Sequence, residues 1–237
     1  MTTTSPATNW IHAGLLGLPV YGLLVGYATR TPQPDPVTDP AGWAHFVSSP
    51  TYLTEHLASS VLGTVLVILG TVALGAYLTG TRAARLALPG MVLALTGQIL
   101  FTVSAALSTF ATPAIGAAYL AGNQDVMAQQ FPAALGPITA LALLLAVVGN
   151  LLLTVAIWRS HALPRWAGAT FAAGTVTFYL LGAALGMSTT GASLPTQPVG
   201  GALLAISTAG IAWAAIHRPS PTQPSTASRP NVNPALT

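Results

Sequence analysis

Glu55 and His56 stand side by side ahead of the apolar run VLGTVLVILGTVALGAYL, in a chain with only four carboxylates and five histidines. A carboxylate beside an imidazole has the donor types to ligate a metal ion or pass a proton. His45 and Asp125 are of the right kind to complete such a group, so an outer-face metal or haem protein built on His45, Glu55, His56 and Asp125 is one function the sequence admits. Spacing argues against it. Zinc-protease helices carry His-Glu-x-x-His, which does not occur here. Haem between helices requires axial ligands at matching depth, but His12, His161 and His217 fall on the opposite side from His45 and His56 in the topology derived below. No cofactor is expected, and no catalytic or metal-ligating residue is assigned.

Other chemistries fail on residue type. The seven cations are all arginine, so no lysine is present for a Schiff base or a P-loop. With no cysteine there is no thiol nucleophile, disulfide or thiolate metal site. No G-x-S-x-G occurs, and Ser59 with His56 on one helical turn is too common a pairing to indicate a hydrolase.

A second group lies inside the apolar segments. Gln98 and Asn150 are their deepest polar side chains, and no Asp, Glu, Lys or Arg lies deep in any segment. Intramembrane polar groups mark pathways or interhelical hydrogen bonds. Two amides bonding across helices would contribute about 0.6–2 kcal/mol. The alternative is a polar cavity shared with Thr96, Thr102 and Ser104, since Gln98, Thr102 and Ala105 fall on one helical face.

The elements that position these residues follow from composition. Apolar residues make up 52% of the chain, charged residues 5%, and the mean hydropathy is +0.67. A soluble domain carries about 25% charge. Crossing a bilayer takes about 20 apolar residues, and six segments qualify: 10–29, 57–78, 86–110, 133–158, 166–187 and 199–216. The predicted fold is all-α, an integral membrane bundle of six transmembrane helices spanning 1–217. Residues 218–237, rich in Pro, Ser and Thr, are expected to form a disordered cytoplasmic tail. The N-terminus lacks the basic region of a signal peptide, so segment one is read as a retained helix, although Gly26-Tyr27-Ala28 has the small-residue form of a cleavage site.

Arginines orient the bundle. Arg82 and Arg85 lie between segments two and three, Arg159 and Arg165 between four and five, and Arg218 and Arg229 after six. The positive-inside rule makes that side cytoplasmic, N-in and C-in, with the chain multi-pass in the cell membrane. Arg30 and all four carboxylates fall outside. The outer connections should hold short interfacial helices, one begun by Asp39-Pro40 and one from Pro113 to about Ala121. Ser49-Pro50 should start the second membrane helix about two turns before the hydrocarbon, leaving Glu55 and His56 at the outer interface. Gly22-Leu23-Leu24-Val25-Gly26 is a GxxxG, and Gly63, Gly70 and Ala73 line a groove on segment two.

The stretch Ala156-Ile157-Trp158-Arg159-Ser160-His161-Ala162-Leu163-Pro164-Arg165-Trp166-Ala167-Gly168 resembles the cytoplasmic hairpin, with an R-S-x-x-L-P-R-x-x-G loop, of bacterial six-helix membrane proteins of unknown function. The likeness covers about a dozen residues. It implies the fold class and transfers no binding or catalytic residue.

The leading expectation is a non-enzymatic membrane protein that packs helices or binds a protein or lipophilic partner. Homo-oligomers are compatible with this, and nucleic acid is not an expected partner. The alternative is a small transporter or permease-like protein with a weakly polar pathway near Gln98 and Asn150.

Overall fold

The computed structural model describes residues 6–128, 134–189 and 194–217, so the tail at 218–237 and the start of segment four at residue 133 lie outside the described residues. The described chain is all-helical, without a strand, and holds six helices long and apolar enough to cross a membrane. The first span is α1 (Pro6–Ala28). After it comes a short helix, α2 (Pro40–Val47), whose N-cap Asp39 accepts a hydrogen bond from the Gly42 amide. The second span starts at α3 (Pro50–His56), where the Ser49 side chain accepts from the Tyr52 amide and Pro50 occupies a position that needs no donor. It continues through a π-helical turn (Leu57–Leu62) into α4 (Gly63–Thr79). The third span is α5 (Ala84–Phe110), which breaks at Ala111 before α6 (Thr112–Leu120) and a 3₁₀ turn at Gln124–Ala128. The fourth is α7 (Leu135–Ser160). The fifth combines α8 (Arg165–Thr175), a second π-helical stretch (Val176–Ala184) and α9 (Leu185–Thr189), and the sixth is α10 (Thr196–His217).

Each span packs on its neighbours in the chain, and the sixth packs on the first, closing a ring. Short connections make successive spans antiparallel, and the seams confirm the sense. Gly14 and Gly17 of α1 lie against Ala73 and Leu66 of α4, while Gly22 and Gly26 lie against Ala205 and Gly201 of α10. The GxxxG of the first span is therefore used within the chain, as the seat of the sixth. Gly63 and Gly70 receive Tyr21 and Leu18 of α1, so the small-residue groove of the second span is filled as well. Between the third and fourth spans the backbones approach so closely that a Cβ on Gly97 would collide with Ala146, and one on Gly149 with Ala94. Small residues permit this approach, and in lipid the resulting dispersion contacts hold helices together in place of a hydrophobic driving force.

Large apolar side chains cover the outside of the ring, among them Leu16, Leu69, Ile99, Val103, Leu144 and Ile206, as lipid requires. At the end carrying the acidic residues, α2 packs on α6. Trp43, Ala44, Val47 and Tyr52 make a second apolar cluster there, with Phe46, Ile115, Tyr119 and Met127 against it.

Candidate polar centre of the bundle

Helical periodicity carries one face of each span to the ring's centre. Leu18 and Tyr21 on α1, Val67, Thr71 and Leu74 on α4, and Leu204 and Thr208 on α10 recur at three or four residues and point inward. They border a cavity of about 20 Å³ together with Asn150, Phe171 and Tyr179. That volume accommodates one water molecule. No ionisable acid or base other than the two tyrosines lines it.

A chain of hydrogen bonds runs along one wall. Gln98 Nε2 donates to the Tyr179 hydroxyl at 2.7 Å, and the hydroxyls of Tyr179 and Tyr21 share a hydrogen bond at 2.8 Å. Three spans are thus tied through Tyr179, which is buried at 2% exposure. Tyr179 belongs to the π-helical stretch, and such turns concentrate at functional sites in helical proteins. Gln98 lies outside the cavity lining and holds Tyr179 from behind, so all six spans contribute to the centre.

Asn150, on the fourth span between those of Gln98 and Tyr179, also lines the cavity. It is 6% exposed, and its amide makes no hydrogen bond to any described residue. The Thr71 hydroxyl, also on the wall, has no hydrogen bond to a described residue. Thr208 differs, because its hydroxyl donates to the Leu204 carbonyl at 2.6 Å. The polar atoms of Asn150 open onto the cavity, and a water there would supply the partner that a buried amide otherwise lacks at a cost of about 1–3 kcal/mol.

Gln98 and Asn150, the two amides singled out from sequence, do not bond each other. They belong to one centre through Tyr179. Thr96, Thr102 and Ser104 are not on its walls. The Thr96 and Thr102 hydroxyls donate to carbonyls one turn back, at Val92 and Gln98, and Ser104 pairs with Thr139 of α7. A hydroxyl that can reach the i−4 carbonyl is satisfied on its own helix and has no need of a cavity. Tyr21 and Tyr179 were missed because tyrosine in a span reads first as an interface aromatic. The signal was their depth, since a buried phenol must find a partner.

The outer group is dispersed. Glu55, 10% exposed, has its Oε1 2.8 Å from Arg30 Nη1, close enough for an ion pair though not an aligned hydrogen bond. Arg30 also donates to the Tyr27 carbonyl and lies over the Tyr27 ring, 3.5 Å from its centroid. His56 places Nδ1 3.0 Å from the Tyr52 carbonyl and stacks on the Tyr52 ring. His45 on α2 and Asp125 on the 3₁₀ turn are exposed. Among the described residues no three His, Asp or Glu side chains gather as a metal site would require.

Comparison with family models, with curated proteins and with solved structures finds no match for this chain. What the fold itself defines is a polytopic helical membrane protein.

Proposed function

We propose that this is a permease-like protein of the cell membrane whose working part is the polar centre. It passes a small neutral hydrogen-bonding solute about the size of water. The observation that carries the reading is the Asn150 amide, which lines a water-sized cavity with no partner among the described residues, beside the Gln98–Tyr179–Tyr21 chain. A module made only to pack would fill that space with apolar side chains. The walls bear no charge, which favours a neutral solute over an ion, and the π-helical turn at Tyr179 gives the wall a backbone able to change register.

Orientation follows from the arginines. The loop bearing Arg82 meets the last turn of α7 at one end of the bundle, where Arg82 Nε donates to the Arg159 carbonyl at 2.7 Å. We take that end as cytoplasmic, with both chain ends inside. The direct test is stopped-flow light scattering on proteoliposomes challenged with water, ammonia, urea and glycerol gradients. The reading expects faster relaxation than in protein-free liposomes for at least the smallest of these. Relaxation equal to the empty vesicles for all four would overturn it.

A second reading is capture of a protein or lipophilic partner by the outer layer, where α2 is held folded on α6 by the buried cluster of Trp43, Ala44, Val47 and Tyr52. It expects partner capture to vanish when residues 40–47 are replaced by a flexible linker while the bundle stays inserted. Unchanged capture would count against it.

A further inference from the structure

At the arginine-bearing end an open cleft of about 620 Å³ is lined by Trp158, Arg159, His161, Arg165, Trp166 and Ala169. We propose that this cleft binds the headgroup phosphate of an anionic phospholipid, with the two tryptophans receiving the start of its acyl chains. The inference rests on the membrane setting of the six spans and is independent of what the polar centre does.

Charge is the first argument. The Arg159 and Arg165 guanidinium groups make no ion pair or hydrogen bond to a described residue, and the one ion pair among those residues, Arg30–Glu55, is at the other end. All four Asp and Glu side chains lie at or beyond the ends of spans at that other end, so nothing in the cleft's own loop offsets its two cations. A phosphate diester supplies the missing anion and matches the planar donor fork of arginine. Basic clefts between spans at this face of a membrane take anionic headgroups.

Construction is the second argument. The loop is fixed from several sides before any ligand arrives. Trp158 Nε1 donates to the Arg165 carbonyl at 3.0 Å, bridging the two walls. His161 ends α7 in the left-handed conformation, φ 55°, and the Ala162 amide donates to Ser160 Oγ. The Trp158 indole packs on Gly168 and the Trp166 ring on Gly210 of α10. Arg82 fastens the neighbouring loop to the Arg159 carbonyl. Two cations are therefore held on a frame whose walls are half-exposed indoles, the side chain suited to the boundary between headgroup and hydrocarbon. That pairing favours a lipid over a free anion, because inorganic phosphate has nothing to place against the rings.

The test uses the full chain with Trp10→Phe, Trp43→Phe and Trp213→Phe, which leaves two of the five tryptophans, so that quenching by lipids brominated near the headgroup reports on Trp158 and Trp166. Brominated phosphatidylglycerol should quench at a several-fold lower mole fraction than brominated phosphatidylcholine. Arg159→Gln with Arg165→Gln should erase that preference, each single variant removing part of it. Arg85→Gln, an exposed cation at the same end outside the cleft, should leave it intact, and circular dichroism should show all variants folded. Equal quenching by the two lipids would overturn the proposal. So would an equal loss of preference in Arg85→Gln, or full relief of quenching by millimolar inorganic phosphate.

Discussion

The phenolic oxygens of Tyr21 and Tyr179, 158 residues apart in the chain, lie 2.8 Å from each other inside the bundle. This contact joins the first and fifth spans, which are not neighbours in the ring. It makes Tyr179 the hub of the centre, since Gln98 of the third span bonds the same hydroxyl.

Tyr179→Phe strands two donors or acceptors, whereas Tyr21→Phe strands one and leaves the Gln98–Tyr179 bond in place. The first should lower stability by about 1–3 kcal/mol and the second by about half as much, measured by unfolding in mixed micelles. The double variant should be non-additive, with a coupling of at least about 0.5 kcal/mol. Additive losses would mean that the two hydroxyls do not share a bond.

Arg30 and Glu55 link the end of α1 to the start of the second span. Arg30 is 41% exposed, so water and salt screen the pair, and its contribution should be about 0.2–1 kcal/mol. A double-mutant cycle on Arg30→Ala and Glu55→Ala should give that coupling at low salt and a smaller one at 1 M salt. A coupling independent of salt would place the pair in a drier site than its exposure indicates.

The third and fourth spans meet backbone to backbone at Gly97 and Gly149. Gly149→Leu should separate them and cost at least about 1–3 kcal/mol. Gly136, also on α7, has nothing within 4 Å of an added Cβ, so Gly136→Ala should fold as the wild type does. Equal effects at the two positions would contradict the packing described for the seam.

Much of the fold could be read before the structure because lipid imposes a simple rule, and runs of about 20 apolar residues obey it. The caps at Asp39-Pro40 and Ser49-Pro50 were legible for a local reason, as side chain, proline and helix start are adjacent in sequence. Gln98 and Asn150 stood out because amides are costly in a span. Tyr21 and Tyr179 did not, since only tertiary structure brings their hydroxyls together. The Arg30–Glu55 pair was hidden likewise, with a proline-rich connection between its members. Nothing in LASSVL or VTFYLLGAA marks a π-helical turn.

Asn150→Leu tests the central claim most directly, because Leu keeps the branched four-atom side chain of Asn and replaces its amide oxygen and nitrogen by methyl groups. Solute relaxation in proteoliposomes and the unfolding midpoint should be measured on the same preparation. The account predicts relaxation falling to the level of empty vesicles, while stability stays within about 1 kcal/mol of wild type or rises, as expected when an unpartnered amide is replaced by an apolar group. Unchanged relaxation in a stable variant would contradict it, and the polar centre would then be a packing feature of the bundle.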